Sequence, residues 1–230
     1  MDLTASPPAR WAILGGTFDP IHDAHLAIAE QARHELGVAG VVFVPARLPP
    51  HKLGQSVTDA AHRLRMVQLA VAEHPAFRVD DLELRRSGPS YTVDTAEELA
   101  PRLGPEPWFI LSVETLRLLP AWHRPHRLLE LVRMAVVPRA GVEPPDGAWY
   151  STYFPGREGR FRVLQGPRLP HASSEIRRLV ADGRPIDHLV SRAVERYIRE
   201  HGLYGPAIGE AVDAGGPPID RRTHRTPRTS

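Results

Sequence analysis

The sequence predicts a doubly wound α/β fold, in which helices cover both faces of a parallel sheet. Short apolar runs alternate along most of the chain with segments whose apolar residues recur at helical spacing. The first 45 residues contain a complete strand–helix–strand unit, and two parallel strands need a crossover of this kind. The first apolar run ends in a glycine pair, Gly15-Gly16, which indicates a tight turn out of a strand.

The first unit can be assigned element by element. The apolar run 11–14 predicts a buried strand, and the run 41–44, closed by Pro45, predicts a second one. Between them, apolar residues at helical spacing predict a helix over 24–36. Gly37 follows this helix, and glycine is the residue favoured immediately after a helix.

The same alternation continues to residue 201. Helices are predicted over 60–73, 92–103, 127–132, 173–181 and 191–201. Strands are predicted over 77–84, 108–111, 134–137 and 161–164, with a loop rich in proline and glycine from 141 to about 160. We therefore expect a Rossmann-like parallel sheet flanked by helices, with a small C-terminal helical part.

Composition limits the function classes. Lysine and arginine total 29 against 27 aspartates and glutamates, and the resulting net charge of +2 is too small for a nucleic-acid-binding module. No apolar stretch approaches the ~18 residues of a membrane span. The chain has no cysteine, which excludes disulfides, thiolate metal sites and a cysteine nucleophile, so the cytoplasm is the expected location.

Three parts of the chain are expected. Residues 1–10 form a leader that lacks the apolar core of a secretory signal, and residues 11–204 form the catalytic domain. Residues 205–230 are rich in glycine, proline, threonine and arginine, a composition that predicts a disordered tail. The sequence leaves the oligomeric state open, a homo-oligomer included.

The first candidate site is the segment 15–25, which reads G-G-T-F-D-P-I-H-D-A-H and joins the first strand to the first helix. Glycines there let the backbone approach a phosphate, and the helix N-terminus offers free N–H groups. His22 and His25 lie three positions apart on one face of the helix start. Their imidazoles could donate to phosphate oxygens, so the segment predicts a site for phosphoryl transfer.

A metal site is the competing interpretation of the histidine pair, with Asp19 or Asp23 as a third ligand. A phosphate-binding glycine turn rarely doubles as such a site, so we favour phosphate. The turn matches neither the dinucleotide fingerprint G-x-G-x-x-G nor the P-loop.

The second candidate site is Ser173-Ser174-Glu175-Ile176-Arg177-Arg178, at the start of a predicted helix. Ser173 is expected to cap the helix. Two hydroxyls and an arginine one turn later also suit a polyphosphate.

Both segments resemble known motifs. The first is similar to the G-G-T-F-D-P-x-H-x-G-H signature of the nucleotidyltransferase superfamily, and the second to the I-S-S-T-x-I-R motif of its bacterial nicotinate mononucleotide adenylyltransferase family. Further similar segments follow in order at 44–52, 90–95, 109–111, 119–122, 136–139 and 197–204. The resemblance covers about residues 11–204. It implies transfer of AMP from ATP to a pyridine mononucleotide, with Mg2+ on the phosphates and no metal site on the protein.

The resemblance also implies roles for individual residues. The implied catalytic residues are His22, His25, Lys52 and Arg177. The implied ATP ligands are Gly15, Gly16, Thr17, Phe18, His22, His25, Glu114, Ser173, Ser174 and Arg177. The implied mononucleotide ligands are Lys52, Tyr91, Thr92 and Trp122, with Trp122 stacked on the pyridine ring.

The chain departs from the family pattern at Ala24, at Ser112-Val113-Glu114 and at 140–142. The leading hypothesis is nicotinate mononucleotide as acceptor. Nicotinamide mononucleotide or another phosphorylated acceptor is the first alternative, and a nucleotide-binding protein with little turnover is the second.

Overall fold

The computed structural model describes residues 9–47, 57–139, 141–165 and 172–205. Its strands are β1 Trp11–Gly16, β2 Gly40–Pro45, β3 Phe77–Val79, β4 Trp108–Ser112, β5 Arg133–Val137 and β6 Phe161–Val163. Its α-helices are α1 Asp23–Leu36, α2 Ala60–Val71, α3 Leu82–Arg85, α4 Thr92–Leu99, α5 Val113–Leu118, α6 Pro125–Leu131, α7 Gly147–Tyr153, α8 Ser173–Ala181 and α9 Arg192–Glu200.

The six strands form one parallel sheet in the order β3-β2-β1-β4-β5-β6. The strand order reverses between β1 and β4, and in open α/β sheets ligands bind at the carboxyl ends of the strands beside such a reversal. The predicted doubly wound Rossmann-like fold is therefore confirmed, and it points to the end of β1 as the site.

Alternate residues of the inner strands β1, β2, β4 and β5 belong to two different hydrophobic cores, because successive side chains of a strand point to opposite faces. Ile13 and its neighbour Val42 belong to the core under α4, α5 and α6. Leu14 and its neighbour Phe43 belong to the core under α1, α2, α8 and α9. Both faces are covered, which is why the strands are almost uniformly apolar.

The first unit agrees closely with its prediction. Helix α1 ends at Gly37, which is left-handed with φ of 62° and whose N–H reaches back to the carbonyls of Arg33 and His34. The Asp23 N–H donates to the carbonyl of Leu189 (2.9 Å), so the start of α1 is fastened to the segment between α8 and α9.

Three local predictions were wrong. The strand predicted over 77–84 ends at Val79, and Asp80 then accepts the N–H of Leu82 (3.0 Å) and starts α3. The loop predicted from 141 to about 160 contains α7, which begins because Asp146 accepts the N–H of Trp149 (3.0 Å). Helix α5 was not predicted at all. Helices α5 and α7 begin at the capping side chains of Ser112 and Asp146, and all three helices are too short to show helical periodicity.

No helix in the described ranges is long and apolar enough to span a lipid bilayer. The predicted leader and tail lie almost wholly outside the described residues.

Candidate active site

One cavity of about 680 Å³ opens over the carboxyl ends of β1 and β4. Gly15, Gly16 and Thr17, from the end of β1 and the turn after it, form part of its wall. Ser112 and Thr115, from the end of β4 and the start of α5, form another part. The volume lies within the roughly 300–1,000 Å³ that small-molecule sites usually have.

The turn after β1 is shaped by Phe18. This residue has a left-handed φ of 48° and is only 2% exposed. Its ring packs on the rings of His25 and Phe43, with centroids 5.0 and 5.8 Å away. Phe18 was predicted to bind ATP, but it does not line the cavity, and it supports the turn from the core side.

Gly16 is the residue that makes room for this arrangement. A Cβ on Gly16 would lie 2.9 Å from two atoms of the Phe18 ring, closer than carbon atoms pack. Glycine is therefore required by the aromatic ring below the turn, as well as by any ligand above it.

The two histidine rings pack against each other at the start of α1, with their planes tilted by 36°. Their ring centroids are 3.9 Å apart, and both side chains line the cavity. The His22 backbone N–H donates to Nδ1 of His25 (3.3 Å), and the His25 N–H donates to the carbonyl of His22 (2.8 Å). His22 is only 6% exposed, so its position is set by packing.

This geometry fixes the protonation of His25. Burial and the neighbouring His22 hold the pKa of His25 well below its usual range, so the ring is neutral at pH 7. Since Nδ1 accepts a hydrogen bond, the proton of the neutral ring is on Nε2. His25 can therefore donate one hydrogen bond from Nε2 without carrying a charge.

Helix α8 brings the second predicted segment to the same turn. The Ser173 hydroxyl donates to the carbonyl of Pro20 (3.0 Å), and Arg177 Nη1 donates to the carbonyl of Asp19 (2.7 Å). Ser173 lines the cavity, whereas Ser174 and Arg177 do not. Ser173 was expected to cap α8, but Ala172 is the N-cap residue, because the Ser173 hydroxyl is engaged with Pro20.

Asp19, which the metal-site hypothesis offered as a third ligand, does not line the cavity. Its carboxylate accepts the Tyr204 hydroxyl (2.7 Å) and the Thr58 N–H (3.2 Å). Burial and the Asp19 carboxylate raise the pKa of Tyr204 far above its usual value. No group of three or more histidine, aspartate or glutamate side chains suited to a metal ion occurs among the residues that the structure describes.

The same cavity contains three of the four predicted mononucleotide ligands. Tyr91 and Thr92 stand at the N-terminus of α4, and Trp122 follows the 3-10 turn Leu119–Ala121. Trp122 is half-buried, with its ring edge-on to Phe109 (6.4 Å between centroids). One cavity wall thus combines an aromatic ring and the N-terminus of α4 with the glycine turn and the two histidines.

Glu114 joins Phe18, Ser174 and Arg177 as a predicted ligand outside the cavity wall, and Lys52 cannot be placed. Glu114 lies in the first turn of α5 and pairs with Arg139 (3.3 Å), and only Arg139 of the two lines the cavity. Lys52, predicted as a catalytic and mononucleotide-binding residue, lies outside the described residues.

Sequence reasoning missed four polar residues at or behind the cavity: Arg63, Glu83, His123 and Arg139. Arg139 is the last residue of the motif-like segment 136–139, and His123 directly follows the segment 119–122, but neither had an assigned role. Glu83 is 7% exposed and accepts the hydroxyl of Thr95 (2.6 Å), and burial raises its pKa. Nothing in the sequence marks a charged residue as buried, so Glu83 and Arg63 could not be recognised.

Comparison with known proteins gives a consistent result. The family model described as cytidylyltransferase-like matches residues 13–179. A protein of Symbiobacterium thermophilum named probable nicotinate-nucleotide adenylyltransferase is 46% identical over 198 residues, which is 85% of this chain and 95% of that protein. A protein of the same name from Thermomicrobium roseum is 41% identical over 223 residues, 96% of this chain and 99% of its own length.

The fold comparison agrees. The structure of Plasmodium falciparum nicotinic acid mononucleotide adenylyltransferase complexed with NaAD matches with a TM-score of 0.68 and 20% identity. The match covers 85% of this chain and 97% of that one. At this identity the likeness concerns the fold.

Proposed function

Since the chain belongs to the cytidylyltransferase-like family, we propose that it transfers AMP from ATP to nicotinate mononucleotide, giving nicotinate adenine dinucleotide and pyrophosphate. The observation that supports the proposal is one cavity whose wall contains the glycine turn, the paired histidines His22 and His25, and the aromatic ring of Trp122. Such a cavity can hold two nucleotides with their phosphates meeting near His22 and His25.

The reaction is a direct displacement at the α-phosphorus of ATP. An oxygen of the mononucleotide phosphate forms the new P–O bond, and the bond from the α-phosphorus to the oxygen that bridges to the β-phosphorus breaks. The electron pair of that bond leaves with pyrophosphate. Catalysis of this kind depends on positioning and charge stabilisation.

The turn and the histidines supply the positioning. The turn places Gly15, Gly16 and Thr17 in the cavity wall beside the start of α1, where the positive end of the helix dipole favours phosphate. His25 donates from Nε2 to a phosphate oxygen, and His22, whose ring packs against it, acts on the charge that builds up at the α-phosphate. A neutral donor suits a site in which the ring is already desolvated.

Helix α8 holds the departing end of ATP. Ser173, Ser174 and Arg177 are the proposed ligands of the β- and γ-phosphates. Arg177 commits one bond to Asp19, and a guanidinium has five N–H donors. Mg2+ would bind mainly through the phosphates of ATP, which is its common mode where a protein offers only one or two carboxylates.

The acceptor end favours an acid over an amide. Thr92 is the first residue of α4, and a helix N-terminus stabilises a neighbouring carboxylate by about 0.3–1 kcal/mol. Trp122 offers its face to the pyridine ring. The nicotinate carboxylate therefore gains an interaction here that the neutral nicotinamide group cannot match.

The test is pyrophosphate release with ATP and Mg2+, using nicotinate mononucleotide and nicotinamide mononucleotide in parallel reactions. We expect kcat/KM to be about two- to fivefold higher for the nicotinate compound, as about 0.3–1 kcal/mol implies. Equal rates would place the carboxylate away from the α4 N-terminus. ATP binding without pyrophosphate release from either would refute the proposal and favour a nucleotide-binding protein.

A further inference from the structure

A single arginine, Arg63 of α2, connects the parts of the backbone that form the phosphate end of the cavity. Its guanidinium is 1% exposed. Its bonding partners are four backbone carbonyls: Nε donates to Thr58 (2.8 Å), Nη1 to Thr17 and Ala46 (2.7 Å each), and Nη2 to Arg47 (3.2 Å).

These carbonyls belong to three separate pieces of chain. Thr17 is in the turn after β1, Ala46 and Arg47 follow β2, and Thr58 precedes α2. Thr17 and Ala46 both line the cavity. The positions of two cavity-wall residues are thus set by one side chain that does not itself reach the cavity.

A buried charge of this kind is expensive unless every donor is satisfied. Burial lowers the pKa of Arg63, and the Asp19 carboxylate opposes that shift by favouring the charged form. Four of the five N–H donors are used, and the planar fork directs them into fixed positions. Lysine has a single nitrogen and cannot bond four carbonyls spread around a plane.

We propose that Arg63 is a positioning residue for the adenylyl transfer, which holds Thr17 and Ala46 in the geometry that the ATP phosphates need. This inference rests on the proposed function. Arg63 acts on substrate only through these two backbone segments. Loss of its bonds would release the turn while leaving the acceptor end, built from α4 and Trp122, unchanged.

The test compares Arg63→Lys with Arg65→Lys, an exposed residue on the same helix. For Arg63→Lys we expect kcat about 100-fold lower and KM for ATP raised, because displacement of about 1 Å has effects of this size. KM for the mononucleotide should stay within threefold of wild type. A smaller fraction of folded enzyme would lower kcat and leave both KM values unchanged.

Amide hydrogen exchange gives a readout that does not need turnover. Exchange should accelerate in peptides covering 15–22 and 44–47 of Arg63→Lys, and should not change in α4 or in Arg65→Lys. Normal exchange there, or kcat within threefold of wild type, would overturn the inference. A uniform acceleration along the chain would overturn it too, because Arg63 would then serve overall stability. If wild type shows no turnover, the proposed function fails and the exchange experiment still decides the role of Arg63.

Discussion

Gly16→Ala is the substitution whose effect the structure defines most sharply. The new Cβ would lie 2.9 Å from Cε1 and Cζ of Phe18 and 3.2 Å from its Cε2. Carbon atoms pack at about 3.5–4.0 Å, so the turn or the ring must move by about 0.6–1 Å. The ring has little room to retreat, because it is buried against His25 and Phe43.

The size of the effect follows from that displacement. Overpacking of this kind costs about 1–3 kcal/mol of folding free energy, or a fall of roughly 2–12 °C in Tm for a chain of this length. A phosphate turn displaced by nearly 1 Å should lower kcat by about 100-fold. A 100-fold fall in kcat corresponds to about 2.7 kcal/mol of activation free energy, similar in size to the expected loss of folding free energy, so the variant should remain folded under assay conditions while its kcat falls.

The assay is steady-state pyrophosphate release together with thermal unfolding. Gly147→Ala is the matched control, because a Cβ there meets nothing within 4 Å and should leave both quantities near wild type. Phe18→Leu in the Gly16→Ala background removes much of the clashing ring, and the pair should couple favourably in a double-mutant cycle. Wild-type kcat and Tm in Gly16→Ala would refute the reasoning.

Three further predictions concern the side chains of the site. His22→Ala should lower kcat by at least about 100-fold and leave the fold intact. His34→Ala, at an exposed position of α1, is the control and should leave kcat unchanged. A near-normal rate in His22→Ala would exclude a catalytic role for His22. The lowered pKa of His25 means that the folded state resists its protonation, so the associated stability is complete above about pH 6.5 and is lost as pH falls below it. His25→Asn should flatten the dependence of Tm on pH below about 6.5, and an unchanged curve would contradict the assignment. Trp122→Ala should raise KM for the mononucleotide more than KM for ATP, and an equal rise in both would show that Trp122 does not select the acceptor.

Much of the fold was predictable because its strands are buried on both faces. Such strands appear as continuous apolar runs, so β1, β2, β4, β5 and β6 were located to within a residue or so at most ends. Helices α1, α2, α8 and α9 were located because each has one apolar face, which appears in the sequence as apolar residues at helical spacing. Short helices such as α5 and α7 begin at one capping side chain each, Ser112 and Asp146, a signal that resembles any other polar loop.

The candidate site was predictable where a motif is contiguous. Gly15, Gly16, Thr17, His22 and His25 all line the cavity, as a single turn between a strand and a helix would place them. The direction of each side chain was not predictable. Phe18 turns into the core, and Ser173 turns to the carbonyl of Pro20, because partners distant in sequence determine those orientations.

The sequence alone determined the order of the strands and of the longer helices, the glycine turn and the pair of histidines one helical turn apart, because these depend on neighbouring residues. Tertiary structure decided the rest. It brought α8 to the turn, placed Tyr91 and Trp122 in the same cavity wall as the turn, and buried Arg63 among four carbonyls from three segments. Such contacts join residues tens of positions apart, and their geometry comes from packing, which local sequence patterns do not encode.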